Sequence, residues 1–345
     1  MSASERTSVH PDQALVREVR AALEWWLGQP TVRPSSSVTG EGSVAVLEAL
    51  AADLLGVPHA LAVPNGTLAL RVALDSVGVG VGSEVVVPVL DWRAAVDAVH
   101  SLGARAIPVA VDPETLTIDP AAAAAALTPR TTAVVATDLH GVPVDIDALR
   151  AVVGAGVPIV EDAAQALGAT VRGLPAGSRA DAAIVSLGPF KAATAGELGL
   201  ILTSRRDVFD RSLRLTQHPL RLMLSGLLEP LRGALNGRIA PLVAIHAAHR
   251  LHEWGGQRAE LEELDRELRA DLRGGACPLD SDECRAAPGV VPVLVPRGAG
   301  IPRRLPADVL PRQSGADVVA RADADSTRWR DLVHRVWVLT RTRHS

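Results

Sequence analysis

Lys191 is the only lysine in a chain of 345 residues that has 35 lysine and arginine residues in total. Arginine can replace lysine wherever a positive charge is sufficient. Its guanidinium keeps its proton near neutral pH, however, and cannot act as an amine nucleophile. The single lysine is therefore a candidate for covalent chemistry through a Schiff base. Compositional bias could equally leave one lysine by chance, so its neighbours must decide between the two interpretations.

Other polar groups stand at the ends of predicted strands, where open α/β sheets bind their ligands. Asp162 follows an apolar run, and Ser186 ends the strand that a Gly-Pro turn joins to the lysine. Gly66 and Thr67 open a predicted helix, so their N–H groups and the positive end of the helix dipole suit a phosphate. Taken singly, Asp162 also fits a helix N-cap, and the glycine turn fits a tight connection.

Together these groups describe a site for pyridoxal phosphate. Lys191 would hold the aldehyde as a Schiff base, and Asp162 would pair with the protonated pyridine nitrogen and keep the ring a good electron sink. Gly66, Thr67 and Ser186 would bind the phosphate. The two catalytic candidates are therefore the lysine and the aspartate.

Two further side chains suit the ring of such a cofactor. Trp92 follows the strand predicted to end at Pro88, where an indole can stack on one ring face, although a core aromatic is the simpler interpretation. Gln165 can donate to the ring hydroxyl, a role open to it because the chain contains no tyrosine.

The positioning elements are short β-branched runs that alternate with helical patterns between residues 59 and 217, which is typical of βαβ units around a mostly parallel sheet. The predicted strands are Ala60–Val63, Glu84–Pro88, Ala106–Val109, Thr132–Thr137, Pro158–Glu161, Ala182–Ser186 and Leu200–Thr203. The predicted helices between them are Thr67–Ser76, Arg93–Leu102, Pro120–Leu127, Ile146–Val153 and Arg206–Thr216.

The flanking segments have other patterns. Residues 9–55 predict two helices separated by the loop Pro34–Ser37, and residues 239–272 predict one long helix. A Gly/Pro-rich stretch with the apolar run Val290–Val295 precedes a predicted terminal helix over Thr327–Leu339. We expect an N-terminal helical segment (1–40), a large α/β domain (41–235) and a small, reduced C-terminal α+β domain (236–345).

Composition excludes several classes of function. The formal net charge of −4 provides no basic surface for nucleic acid. No apolar stretch reaches the roughly 20 residues of a membrane span, and the polar N-terminus does not predict a signal peptide, so we expect a cytoplasmic protein. The two cysteines are too few for a disulfide framework and lack partners at metal-ligand spacing, so no metal is expected.

From about Gly40 to Ala248 the sequence resembles the DegT/DnrJ/EryC1/StrS sugar aminotransferases, which are fold-type I enzymes dependent on pyridoxal phosphate. The blocks that carry the resemblance are Asn65–Leu70, Gly82–Pro88, Thr117–Pro120, Thr128–Thr131, His140–Asp147, Glu161–Ala166, Ser186 placed five residues before Lys191, Gly196-Glu197 with Gly199, and Arg214–His218.

The resemblance implies a mostly parallel seven-stranded sheet with helices on both faces, and a homodimer. It implies that Lys191 is the Schiff-base lysine, Asp162 the pyridine partner, Gln165 the partner of the ring hydroxyl and Trp92 the stacking aromatic. It also implies that Asn236, in the block Asn236-Gly237-Arg238, reaches the phosphate bound by the other subunit. The implied reaction moves an amino group from glutamate or glutamine to a keto-sugar nucleotide or a cyclitol ketone.

The sequence departs from the family pattern around the lysine and near the substrate entrance. Leu198 replaces a glycine, Pro219 replaces the glycine after His218, and Leu187-Gly188 replaces an aromatic pair. Two alternatives therefore stay open. One is a dehydratase or other lyase on the same scaffold, which the lysine argues against because the sugar dehydratases carry histidine there. The other is a catalytically idle scaffold subunit.

The apolar segment 220–235 follows these departures. It predicts a helix in the core or at a dimer interface, or an apolar pocket at the substrate entrance.

Overall fold

A seven-stranded sheet lies at the centre of the fold. The computed structural model describes residues 11–30, 34–189, 191–271, 277–278, 283–288, 291–294, 309–313 and 336–341. The strands among these residues are β1 (His59–Val63), β2 (Glu84–Pro88), β3 (Arg105–Val109), β4 (Thr131–Thr137), β5 (Ile159–Asp162), β6 (Thr170–Val171), β7 (Leu174–Pro175), β8 (Ala182–Ser186), β9 (Gly199–Thr203), β10 (Cys277–Pro278), β11 (Cys284–Arg285), β12 (Val291–Leu294), β13 (Val309–Gln313) and β14 (Val336–Arg341).

The described helices flank these strands along the chain. They are α1 (Pro11–Leu27), α2 (Ser43–Leu55), α3 (Gly66–Ser76), α4 (Ala94–Ser101), α5 (Pro120–Ala125), α6 (Ile146–Val153), α7 (Arg206–Thr216), α8 (Pro219–Leu224) and α9 (Pro241–Asp271), with a 3₁₀ turn at Leu139–Gly141. The predicted pair of N-terminal helices is confirmed as α1 and α2, and the predicted long helix is confirmed as α9.

The central sheet has the strand order β1-β9-β8-β5-β4-β2-β3. The strands β8, β5, β4, β2 and β3 pair in parallel with one another in that order. β9 is antiparallel to both β1 and β8. The mostly parallel seven-stranded sheet predicted from the sequence is therefore confirmed. Two smaller antiparallel sheets have the orders β11-β6-β7 and β10-β12-β14-β13.

Helices cover both faces of the central sheet because strand side chains alternate between two apolar layers. Ala60 and Ala62 of β1 face a core that α2 and α9 share. Leu61 and Val63 face the opposite core, formed with α3, α4 and α7. Val134 of β4 belongs to a further cluster under α5 and α6. Each fully buried leucine or valine contributes about 1.5–3 kcal/mol of burial free energy, so the layers hold the strand ends in place.

The helix predicted over Thr327–Leu339 is wrong where the structure describes it. Residues 336–341 form β14, which pairs with β12 on one side and β13 on the other. Their sequence, Val-Trp-Val-Leu-Thr-Arg, is rich in residues that favour strands, and pairing at both edges satisfies the backbone groups. Residues 327–335 lie outside the described residues.

The N-terminal half of α9 packs on the central sheet. Its Ala244, Leu251 and Trp254 belong to the same core as Leu47 of α2. The domain division at residue 235 remains a prediction.

The apolar segment 220–235 is a short helix followed by turns. Leu222 of α8 is fully buried, and Leu227 packs against the core beside α3 and α7. The side chains of Met223, Leu224 and Leu228 are exposed. The segment is therefore not one continuous helix, and it divides between core and surface.

Candidate active site

One edge of the central sheet brings together segments that are far apart in the chain. β1, β2, β4, β5 and β8 run in the same direction and end at this edge. β9 begins there, and its Gly199 pairs with both Val63 and Ser186. The turn into α3, the residues after β2, β4 and β5, and the loop after β8 therefore meet at one place. This is the edge at which open α/β sheets bind ligands.

Lys191 lies in a tight loop between β8 and β9. Ala195 donates its backbone N–H to Leu187 O at 2.8 Å, and Lys191 donates its own to Gly188 O at 3.3 Å. The lysine side chain is half-buried, and burial lowers the pKa of its ammonium while Asp162 acts in the opposite direction. The loop thus holds an amine that loses its proton more readily than a surface lysine does.

Asp162 is the buried carboxylate that interacts with Lys191. Its Oδ1 accepts the Ala164 backbone N–H at 3.0 Å. Burial raises the pKa of Asp162, whereas the Ala164 N–H and the lysine charge lower it. The structure therefore brings the two candidate catalytic side chains within electrostatic reach of each other.

The turn before α3 forms an anion cradle with Ser186. Asn65 caps the helix by accepting a backbone N–H of the first turn at 2.8 Å. The N–H groups of Gly66 and Thr67 have no carbonyl partner within the helix, as at any helix N-terminus, and are available to an anion. A Cβ on Gly66 would lie 3.2 Å from Ser186 Oγ, so the hydroxyl lies directly against this helix end.

Gly199 determines how closely β9 approaches the cradle. A Cβ at this position would lie 2.3 Å from the Asn65 carbonyl oxygen and 2.9 Å from the Gly66 nitrogen. Because both neighbours are backbone atoms, no side chain can move aside to make room. In sequence, Gly199 is one glycine of a family block, and only the pairing of β9 with β1 shows why glycine is needed.

Asp91 is a second buried carboxyl beside Asp162. It accepts the Thr137 hydroxyl at 2.9 Å and the Trp92 backbone N–H at 2.6 Å. Burial and the Asp162 charge raise the pKa of Asp91 well above its usual value, which favours its neutral acid form. The sequence offers one weak signal for this residue, its position directly before Trp92.

The three remaining predicted site residues differ in their exposure and surroundings. The Trp92 side chain is 53% exposed at the sheet edge, so it is not a core aromatic. Gln165 is half-buried just after Asp162. Asn236 lies on an exposed loop, where its side-chain oxygen accepts from Arg238 Nε at 2.9 Å. Within the described part of the chain, none of its hydrogen bonds reaches the cradle.

The donor set fits pyridoxal phosphate. It offers an amine for an aldehyde, a buried carboxylate for a cationic ring nitrogen and a helix N-terminus for a phosphate. Gly199 has no room for a Cβ, which allows β9 to pack against the backbone of Asn65 and Gly66 at this helix N-terminus. The described residues contain no group of three or more His, Cys, Asp or Glu side chains that could hold a metal ion. None of the described helices is long and apolar enough to cross a membrane.

Comparison with known proteins places this chain in a family. Residues 31–307 match the DegT/DnrJ/EryC1/StrS aminotransferase family. The chain therefore belongs to that family, as the blocks in its sequence predict.

Curated relatives match less than half of this chain. The chain is 43% identical over 157 residues to L-glutamine:2-deoxy-scyllo-inosose aminotransferase of Streptoalloteichus tenebrarius, a match that covers 45% of this chain and 37% of the relative. It is 42% identical over 158 residues to GDP-perosamine synthase of Caulobacter vibrioides, covering 46% and 43%. These matches thus span less than half of each curated relative.

A solved structure resembles nearly the whole chain. The crystal structure of 3-amino-5-hydroxybenzoic acid synthase superposes with a TM-score of 0.74 at 25% identity, covering 94% of this chain and 90% of that one. The fold is therefore that of this group of enzymes over most of the chain.

Proposed function

We propose that this protein is an aminotransferase dependent on pyridoxal phosphate. The observation that carries the proposal is the only lysine of the chain, half-buried with a lowered pKa, facing buried Asp162 at the ligand-binding edge. Family membership supports the same class of reaction. When bound, pyridoxal phosphate supplies an electron sink that acidifies the α-carbon of an amino acid.

The residues of the chain have distinct tasks in this proposal. Lys191 Nζ would hold the aldehyde carbon of the cofactor until the donor amine takes its place. The freed amine would then accept the proton of the donor α-carbon and deliver it to the former aldehyde carbon. Asp162 keeps a proton on the ring nitrogen, since a buried anion favours the charged form of its partner. Gly66, Thr67 and Ser186 bind the phosphate. Trp92 packs on the ring, and Gln165 donates to its hydroxyl.

The proposed amino donor is glutamine or glutamate, and the proposed acceptor is a keto-sugar nucleotide or a cyclitol ketone. Support comes from the names of the relatives, which specify L-glutamine with 2-deoxy-scyllo-inosose in one case and a GDP-linked amino sugar in another. 2-Deoxy-scyllo-inosose presents a ketone on a hydroxylated six-membered ring. We therefore expect a cyclic polyhydroxy ketone to be the shared acceptor class.

A homodimer completes the site in this proposal. Asn236 lies on an exposed loop held by Gly237, whose Cβ position would lie 2.6 Å from Thr216 Cβ. This loop presents the amide outward, where it can donate to a phosphate oxygen bound by a second subunit. The exposed leucines of segment 220–235 are adjacent in sequence to the same loop.

The direct test uses purified protein loaded with pyridoxal phosphate. Addition of L-glutamine should convert the bound cofactor to its amine form, seen as a change in absorbance. Addition of 2-deoxy-scyllo-inosose or a nucleotide-linked 4-keto-sugar should reverse the change and yield an aminated product by mass spectrometry. If neither glutamine nor glutamate changes the absorbance, the proposed function is wrong. The Lys191→Ala variant is the matched control for cofactor that binds without chemistry.

A further inference from the structure

Asp138 and Glu161 form a buried carboxyl pair next to Asp162. Asp138 follows β4, and Glu161 precedes Asp162 in β5. Asp138 is 0% exposed and Glu161 is 1% exposed. Ala136 lies opposite Glu161 in the β4–β5 register, and Asp138 is two residues further along the same segment. Each carboxyl affects the pKa of the other. The catalytic roles proposed above use neither residue.

Each carboxyl of this pair has one oxygen in a hydrogen bond and one buried oxygen without a partner. Asp138 Oδ1 accepts the Val144 backbone N–H at 2.9 Å, and Glu161 Oε1 accepts the Gly177 N–H at 2.8 Å. The second oxygens, Asp138 Oδ2 and Glu161 Oε2, are buried and have no hydrogen-bond partner among the described residues. Two ionised carboxylates cannot hydrogen-bond to each other, whereas a proton on one of these oxygens would allow it to donate to the other.

The carboxyl pair holds the segments that position Asp162. The Asp138 backbone N–H donates to the Asp162 carbonyl oxygen at 3.0 Å, and Thr137 lies opposite Asp162 in the β4–β5 register. Through Val144 and Gly177 the pair also reaches the loops that follow the 3₁₀ turn and β7. Any change in the contact between the two carboxyls therefore acts on the strand ends that carry Asp162.

The charges around the carboxyl pair favour retention of its protons. Asp162 raises the pKa of both members, although burial is the larger cause. His140 lies beside Asp138 in the chain, and burial lowers its pKa to about 4, so it adds no cation at neutral pH. The Cys284 thiol interacts weakly with Asp138, and the Arg172 guanidinium forms an ion pair with Asp145. Lys191 is a cation that acts on Asp162.

We propose that the carboxyl pair is a positioning device for Asp162, in which a shared proton holds the ends of β4 and β5 together and sets the charge beside the ring nitrogen of the cofactor. This proposal rests on the proposed function for its second part only. Burial raises the pKa of Glu161 to about 7. The pair thus gains a negative charge beside Asp162 as the pH rises through about 7.

Amide variants distinguish two hypotheses: that the two carboxyls share a proton, and that the fold only tolerates two buried acids. In Glu161→Gln the amide oxygen can still accept from Gly177. The amide NH₂ group can donate to Asp138, so this contact no longer needs a protonated carboxyl. Asp138→Asn makes the mirror-image contact with Val144 and Glu161. In the double variant two NH₂ groups face each other, because both amide oxygens are needed by the backbone donors. If burial of acid were the only issue, removing both acids would instead be best tolerated.

Urea unfolding of the cofactor-free protein at pH 8 is the first readout. We expect both single variants to keep a midpoint near that of the wild type and the double variant to lose more than the sum of their effects. If the double variant is as stable as the single variants, the hypothesis of a shared proton is wrong. This readout is independent of whether the protein is an aminotransferase.

Cofactor affinity between pH 6 and pH 8.5 is the second readout. We divide the dissociation constant of the wild type by that of Glu161→Gln. Titration of pyridoxal phosphate itself affects both constants and cancels in this ratio. We expect this ratio to fall several-fold as the pH rises through about 7, because only the wild-type pair gains its charge there. The fall should be absent with the analogue in which C–H replaces the ring nitrogen. A ratio that is constant with pH, or the same fall with the analogue, overturns the role toward the ring nitrogen.

Discussion

The α-carbon of Gly199 packs directly against the backbone of Asn65, and a Cβ on the glycine would lie 2.3 Å from the asparagine carbonyl oxygen. Gly199 also pairs with Val63 and with Ser186, so this single contact sets the distance between the helix N-terminus and the serine hydroxyl. β9 cannot move away from Asn65 without disturbing its pairing with β1 and β8. The shape of the anion cradle therefore depends on one missing methyl group.

Gly199→Ala should damage the cradle selectively. The added methyl group must push β9 away from Asn65, which should cost about 1–3 kcal/mol of stability. We also expect at least roughly tenfold weaker binding of pyridoxal phosphate, since 1.4 kcal/mol of lost contact is a factor of ten. Gly156→Ala is the matched control, because nothing lies within 4 Å of its Cβ position. Wild-type cofactor affinity in Gly199→Ala would show that the cradle is placed wrongly.

Lys191→Arg should be as inactive as Lys191→Ala, with turnover reduced by roughly 10³-fold, because the site needs an amine that can lose its proton. Borohydride reduction of the loaded wild type should fix one cofactor mass on the tryptic peptide 180–205, which contains the only lysine. A modified lysine also resists trypsin, so this peptide should appear uncut. Full activity in the arginine variant, or an unlabelled peptide, would rule out a covalent role for Lys191.

Asp162→Asn should separate cofactor binding from turnover. The amide keeps the size of the side chain and leaves the phosphate cradle intact, but it cannot hold a proton on the ring nitrogen. We expect cofactor to bind and the rate of amino transfer to fall by roughly 10²-fold, the value of a lost charged hydrogen bond. Single-turnover absorbance measurements with glutamine test this. A rate close to wild type would remove Asp162 from the mechanism.

The buried ion pair between Arg221 and Glu48 should be a stability determinant. Arg221 Nη2 lies 2.5 Å from Glu48 Oε2, and the side chains are only 10% and 11% exposed. Arg221→Met should lower the free energy of unfolding by about 3–5 kcal/mol, because it leaves a buried carboxylate without its partner. Adding Glu48→Gln should restore part of the loss in urea unfolding. Burial raises the pKa of Glu48, so the single variant should recover as the pH falls and the carboxyl is protonated. A loss that is constant with pH would contradict this account.

A mixed dimer should reveal whether each site draws on two chains. Asn236→Asp places a carboxylate against the phosphate, so this variant and Lys191→Ala should each be badly impaired alone. If Asn236 serves the neighbouring subunit, a mixed dimer collects both lesions in one site and leaves the other intact. Random exchange should then restore about a quarter of wild-type activity. No recovery after verified exchange would assign Asn236 to its own chain or to a structural role.

Local sequence determined much of this protein. The short β-branched runs place the strands of the central sheet to within one or two residues, and Asn65 before Gly66 marks the start of α3. The single lysine and the carboxylate after β5 are likewise visible in the chain. These signals are local because they depend on residue type, spacing and turn chemistry alone. Resemblance to a known family adds the functional role of each residue.

Only the tertiary structure decided which of these groups meet. The strand order places β4 between β2 and β5, and this brings Thr137 to Asp91 and Asp138 to Glu161. β14 belongs to the small sheet β10-β12-β14-β13, where pairing with both β12 and β13 makes it a strand and not part of the predicted helix. Contacts of this kind join residues that are tens of positions apart. They depend on how strands are arranged across the sheet, which the order of residues along the chain does not encode locally.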